Sequence, residues 1–132
     1  FLADAAKAVG ARVISLEIAD YKQAFAADMM AKAGLSDAVE FRCGDAVALL
    51  GGIESMDFVL LDIWKDLYIP CLNAMLPRLS DGAMVVADNM LSPEVERVAA
   101  NKYRAEVAKV AGMRSVLLPV GSGMELSVWG GG

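Results

Sequence analysis

The sequence predicts an α/β fold: a doubly wound, mostly parallel sheet that closes with an antiparallel hairpin at its C-terminal end. Three observations carry this expectation. First, apolar runs rich in Val, Leu and Ile stop abruptly at carboxylates: Val13-Ile14-Ser15-Leu16-Glu17, Met56-Asp57-Phe58-Val59-Leu60-Leu61-Asp62 and Ala83-Met84-Val85-Val86-Ala87-Asp88-Asn89. Buried parallel strands read this way. Second, helix-length segments separate these runs, so successive strands form βαβ units and point in one direction. Third, strand and helix alternate repeatedly until residues 115–120 and 124–129, which flank Gly121-Ser122-Gly123 as a hairpin does.

The elements follow in order. Residues 1–9 carry an amphipathic helical pattern, closed by Gly10 just past the helix end. Residues 12–18 form a strand. Asp20 is placed to cap the next helix, with Gln23 three residues on as in a capping box; Phe25, Met29 and Met30 share one side, and Gly34 ends it. Residues 38–42 form a short strand, and a helix over 45–50 stops at Gly51-Gly52. The strand over 57–62 is followed by a helix over 67–79. Ser80-Asp81-Gly82 has turn composition and leads into the second acidic strand. Ser92-Pro93-Glu94 combines a hydroxyl cap, proline at the first helical position and an acid in the first turn, starting a helix that runs to residue 111.

Composition narrows the function. With 132 residues the chain is one domain at most, spanning 1–132. Its apolar fraction of 57% suits a sheet covered on both faces, yet no apolar stretch approaches the roughly 18 residues of a membrane span. A net charge of -5 with scattered basic residues supplies no footprint for nucleic acid. Cys43 and Cys71 belong to no CxxC motif, as expected of a reduced, cytoplasmic chain. They and the methionines read as packing residues. Histidine is absent, which removes a Ser-His-Asp triad, His-ligated zinc and the imidazole base. The chain begins at Phe1, within a helical pattern and without a targeting signal, so the expectation is that an upstream part of the domain precedes it.

The strand ends hold the chemistry. Ligands of open α/β sheets bind outside the carboxyl ends of the strands. If the strands ending at Asp62 and Asp88 are neighbours, about 5 Å apart, then Asp62, Asp88 and Asn89 gather three hard oxygen donors. All-oxygen ligation with few protein donors suits Mg²⁺, which keeps several waters and leaves positions for substrate oxygens; the alternative is that each acid caps the helix after it. Lys65 lies three residues past Asp62. A nearby cation and partial burial would lower its ammonium pKa and make it a usable base. Trp64 reads either as a wall of a substrate site or as core. Glu17 is positioned to accept both ribose hydroxyls of a nucleoside, or is a solvated strand-end acid. Asp45, in Gly44-Asp45-Ala46, could accept from an exocyclic adenine amine, cap the short helix after it, or both. Gly121-Ser122-Gly123 reads as a hairpin turn, because no helix follows it.

The order of these motifs resembles the S-adenosylmethionine-dependent O-methyltransferases of the catechol and caffeoyl-coenzyme A type. The resemblance is carried by ISLEI ending at Glu17, the Gly44-Asp45-Ala46 turn, LLDIWKDLYIP around Asp62 and VVADNM around Asp88, with Trp64-Lys65-Asp66, Tyr68 and Pro70 most like catechol O-methyltransferase. It implies a Rossmann-like methyltransferase sheet that lacks its N-terminal first strand here, leaving a hole between the Glu17 and Asp62 strands. By position it also implies that Asp62, Asp88 and Asn89 hold Mg²⁺ and that Lys65 is the general base. Glu17, Gly44, Asp45, Ala46, Asp62 and Ile63 would line the S-adenosylmethionine site, with Trp64 and Asn89 against the substrate. Ile63 replaces the histidine that follows the first metal aspartate in catechol O-methyltransferase, and no carboxylate near 116–119 matches the one that orients the catechol there. Bacterial members are often dimers, so a homodimer is implied as well.

The expected function is Mg²⁺-dependent methyl transfer from S-adenosylmethionine to a hydroxyl of a catechol-like or other small phenol. The alternative is a non-catalytic S-adenosylmethionine or nucleoside-binding module. A nicotinamide-dependent oxidoreductase ranks last: it would use an acid such as Glu17 but has no need of Asp62, Asp88 and Asn89.

Overall fold

A computed structural model describes residues 1–130 and divides into two compact units, Phe1–Leu49 and Leu50–Gly132. In the first, α1 (Leu2–Ala8), β1 (Val13–Glu17), α2 (Asp20–Lys32), β2 (Val39–Cys43) and α3 (Ala46–Leu50) follow in order, α3 ending at the boundary. Strands β1 and β2 are parallel, in register from Val13↔Val39 to Glu17↔Cys43. Each matches its expected segment to within a residue or so at either end. Gly10 sits where the sequence places it, its amide donating to the Lys7 carbonyl at 3.2 Å. The Lys7 ammonium bonds the Gly34 carbonyl at 3.1 Å and the Asp37 carboxylate at 3.0 Å, tying α1 to the turn after α2.

The start of α2 corrects the sequence reading. Asp20 is the first helical residue, not the cap; Ala19 takes that place without a side-chain bond. The Asp20 carboxylate accepts from the Tyr21 amide at 2.7 Å, while the Gln23 amide nitrogen is buried without a partner. No capping box forms, because Gln23 turns inward. Phe25 is exposed while Met29 and Met30 are half-buried, so the three do not share a buried face.

The second unit holds β3 (Met56–Leu61), α4 (Tyr68–Met75), β4 (Leu79–Ala87), α5 (Arg97–Val107), β5 (Met113–Leu118) and β6 (Met124–Trp129). Its sheet has the order β3-β4-β6-β5. Strands β3 and β4 are parallel; β6 runs antiparallel to both β4 and β5, which gives the expected terminal hairpin. Among the described residues no strand of the first unit pairs with this sheet. The core gathers Tyr68, Leu72 and Met75 of α4, Tyr103 and Val107 of α5, and Ala83, Val85 and Ala87 of β4, all buried. Period-two alternation then puts Phe58, Leu60 and Met84 on the opposite, exposed face. Helix α5 is pinned to β6 through buried Glu125, which accepts from Arg104 Nε at 2.7 Å and from the Ser115 hydroxyl.

Three details depart from expectation. Ser80-Asp81-Gly82 is not a turn before the strand but lies inside β4. The register jumps from Met56↔Leu79 to Phe58↔Met84, so these residues bulge out of the ladder, and Gly82 supplies the φ of +81° that the bulge needs. The expected helix over 67–79 is broken into a 3-10 turn at Lys65–Leu67, α4, and a second 3-10 turn at Leu76–Arg78 holding Pro77. Finally, Ser92 caps nothing: Pro93 precedes a 3-10 turn, Glu94–Glu96, and α5 ends at Val107, short of residue 111. Among the described residues no helix is long and apolar enough to cross a membrane.

Candidate active site at the strand ends

The ladder between β3 and β4 sets the geometry of the second unit's site. Leu61 pairs with Ala87, so Asp62 and Asp88 are the next residues of two adjacent parallel strands. The Asp88 amide continues the ladder, donating to the Leu61 carbonyl at 3.1 Å. Both acids therefore leave the same end of the sheet. Neighbouring strands lie about 4.8 Å apart, and the cation that both carboxylates act on is the Lys65 ammonium, which bonds the Asp88 carbonyl. Among the described residues neither Asp62 nor Asp88 forms an ion pair.

Asn89 holds a left-handed backbone, φ +56°, alone among the described non-glycine residues. Its backbone N–H donates to Asp88 Oδ1 at 2.7 Å, and asparagine is among the few residues besides glycine that visit this conformation. The chain beyond is fixed by the hairpin loop: the amides of Met90 and Leu91 donate to the carbonyls of Gly123 at 2.9 Å and Ser122 at 2.8 Å. The Gly121-Ser122-Gly123 turn thus serves the site indirectly, as a support for the segment after Asn89.

Lys65 is 7% exposed. Its Nζ donates to the Asp88 carbonyl at 2.8 Å and stands 3.7 Å from the centroid of the Tyr68 ring. Burial lowers its pKa below the ordinary lysine value, partly opposed by the carboxylates of Glu96, Asp62 and Asp88, in that order. The half of the sequence argument that rested on burial is therefore what the structure supplies. Trp64 is 75% exposed, which removes its core reading. Ile63 is half-buried. Two contributors were not singled out for the chemistry by sequence: Glu96, which faces Lys65 from the turn before α5, and Tyr68. Tyr68 lies one helical turn past Lys65, a spacing that puts both on one side.

The first unit gathers the other candidates at the ends of its own strands. The Gly44 amide donates to the Glu17 carbonyl at 3.0 Å, extending the ladder as Asp88 does in the second sheet. Glu17 Oε1 accepts from the Ala19 amide at 2.9 Å, leaving its other oxygen for a ligand. Asp45 Oδ1 accepts from the Ala48 amide at 2.8 Å, so Asp45 caps α3 and Ala46 is its first residue. Gly44 has φ +147°, and a Cβ there would meet Leu49 at 3.3 Å. Among the described residues no three His, Cys, Asp or Glu side chains cluster closely enough to hold a metal.

Comparison with known proteins places the chain in a family. The profile of a family described as O-methyltransferase matches residues 3–128. A Mycobacterium tuberculosis protein named "Probable O-methyltransferase Rv1703c" is 36% identical over 115 residues, which cover 78% of this chain and 47% of that one. Catechol O-methyltransferase B of Danio rerio is 35% identical over 94 residues, 65% of this chain and 36% of that one. The chain thus spans about half or less of the length of these relatives. Among solved structures, the O-methyltransferase from Bacillus cereus in complex with SAH superposes with a TM-score of 0.81 at 24% identity, covering 91% of this chain and 63% of that one. The SAH-bound Podospora anserina methyltransferase PaMTH1 gives 0.80 at 22%, over 90% and 61%. At such identities the structures speak to the fold, a methyltransferase-type α/β sheet. The profile match runs through nearly the whole chain, and on that ground the protein belongs to the O-methyltransferase family.

Proposed function

We propose that this chain carries the catalytic residues of an S-adenosylmethionine-dependent, Mg²⁺-dependent O-methyltransferase acting on a hydroxyl of a catechol-like or other small phenol. The observation that carries the reading is the pair Asp62 and Asp88, following the paired ends of β3 and β4, with neither in an ion pair among the described residues. The relatives named catechol O-methyltransferase, here of zebrafish and mouse, support the substrate class. The family match runs across both compact units, which supports one methyltransferase domain over 1–132.

The donor set fits magnesium: two carboxylates and one amide oxygen, all hard, with room for water and substrate oxygens. Asp62, Asp88 and Asn89 would hold the ion, which when bound would stabilise developing negative charge on a substrate oxygen. Lys65 does the proton transfer. As a buried amine of lowered pKa, it keeps N–H donors on the Asp88 carbonyl and turns its lone pair to the phenolic proton. Loss of that proton would leave the phenolate as nucleophile; S-adenosylmethionine, when bound, would supply the methyl group and depart as the neutral thioether. Trp64 offers an exposed aromatic face against which a substrate ring can be held, and Asn89 would contact the substrate as well. In the first unit, Glu17 would accept ribose hydroxyls of the cofactor, with Gly44, Asp45 and Ala46 by the nucleoside. Holding both reactants at near-attack distance supplies the remaining rate.

The test is methyl transfer from radiolabelled S-adenosylmethionine to a panel of catechols, with and without Mg²⁺, in wild-type protein and Lys65→Ala. Magnesium-dependent product that the variant fails to form supports the assignment. Calorimetric binding of S-adenosylmethionine with no transfer to any phenol contradicts it and identifies a non-catalytic binding module.

A further inference from the structure

Tyr68 is fully buried on the first turn of α4, yet its hydroxyl does not end in the core. It stands 3.0 Å from the carbonyl oxygen of Leu61 and 3.0 Å from that of Asp88. One phenolic hydrogen is thus shared between the last residue of β3 and the first residue past β4, a three-centre bond. Neither carbonyl depends on it. The Leu61 oxygen already accepts from the Asp88 amide, and the Asp88 oxygen accepts from Lys65 Nζ. The hydroxyl is therefore surplus to satisfying buried acceptors, and what it adds is a fixed distance between the two strand ends. The ring itself is set by an edge-to-face contact with Tyr103, centroids 5.4 Å apart.

We propose that Tyr68 is a positioning residue: its hydroxyl, astride the Leu61 and Asp88 carbonyls, fixes the spacing at which Asp62 and Asp88 are offered to a divalent cation. This deepens the function proposed above and rests on its magnesium reading. Each bridged carbonyl belongs to a peptide unit next to a carboxylate-bearing Cα. A shift of either unit changes the separation of the two side chains, and outer partners of this kind tune metal affinity about 10- to 100-fold.

Tyr68→Phe removes only the hydroxyl, and Tyr103→Phe is its matched control. The Tyr103 hydroxyl is buried without a hydrogen-bond partner. Two quantities are read: Mn²⁺ affinity by titration, and hydrogen exchange of the Asp88 amide in metal-free protein. In Tyr68→Phe the affinity is expected to fall about tenfold. The Asp88 amide should exchange about fivefold faster, the equivalent of one hydrogen bond's net contribution. Amides within β4 and β6 should be unchanged, and Tyr103→Phe should match wild type in both readouts. Wild-type Mn²⁺ affinity in Tyr68→Phe overturns the positioning role alone. So does loss of fold in that variant, which would make the hydroxyl a matter of stability. Wild-type protein that takes up no Mn²⁺ overturns the magnesium reading and the positioning role together.

Discussion

Asn89 joins a backbone demand to a chemical one, and substitution separates them. At φ +56° a residue with a Cβ is strained by about 1–2 kcal/mol, while asparagine reduces the cost through local bonding. Alanine at 89 bears that strain in full and loses the amide. Glycine avoids the strain but gains unfolded-state entropy worth about 0.4–1 kcal/mol. Subtracting one from the other leaves Asn89→Gly more stable than Asn89→Ala by about 1 kcal/mol. At an ordinary position the order reverses, so the sign alone is diagnostic. With a urea dependence of about 2 kcal/mol per molar for a small domain, the two midpoints should differ by roughly 0.5 M. Both variants lack the side-chain oxygen, so both should bind Mg²⁺ at least about tenfold more weakly than wild type, whatever their stabilities. Urea unfolding followed by circular dichroism and metal titration of the same samples give the two answers. An alanine variant as stable as the glycine variant would refute the strain argument; wild-type metal affinity in both would refute the ligand role.

Three further outcomes follow. Lys65→Arg keeps a cation in place but cannot act as a base near neutral pH, so turnover should fall about 10²- to 10⁴-fold while S-adenosylmethionine binding by calorimetry stays intact; undiminished turnover would remove Lys65 from the proton transfer. Gly123→Ala drives a Cβ to 2.6 Å from Leu91 Cγ and 2.9 Å from its backbone nitrogen, at φ +85°. It should destabilise by about 2–4 kcal/mol from overpacking and strain together, whereas Gly82→Ala, at φ +81° with open space around it, should cost about 1–2 kcal/mol; equal melting temperatures would contradict this. In the first unit, the Arg42 hydrogen bond holds the Glu40 carboxyl below its ordinary value of 4.5. A lowered folded pKa gives stability that is complete above the unfolded value and lost as pH falls through the folded one, so Glu40→Gln should flatten the decline of melting temperature below pH 4.5.

The strands that end in Glu17, Asp62 and Asp88 were legible because runs of Val, Leu and Ile closed by a carboxylate have few other solutions than a buried parallel strand. Their pairing told which acids share an edge. The hairpin was equally plain, with two glycines between apolar segments. What failed was chemistry of the same composition used differently. Ser80-Asp81-Gly82 has the residues of a turn, and a bulge needs the same ones. Asp20 and Gln23 have capping-box spacing, but the alternative of burying the Gln23 side chain is set by packing that no spacing records. The site followed the same division. Asp62, Asp88 and Asn89 follow neighbouring strand ends and Lys65 opens the turn after the first of them, so these candidates could be named from sequence. The hydroxyl of Tyr68 could not, because its partners are main-chain carbonyls, identical at every residue. Nor could Glu96, whose approach to Lys65 depends on how the turn before α5 is laid down.

The central claim is that Asp62 and Asp88 act as one cation site, and metal titration tests it most directly. Mn²⁺, read by its electron paramagnetic resonance signal, should bind wild-type protein at one saturable site. Asp62→Asn and Asp88→Asn should each weaken that binding by at least about tenfold, with Asp57→Asn, an exposed acid on the same strand as Leu61, left at wild-type affinity. Equal binding in all four proteins, or none in wild type, would contradict the account.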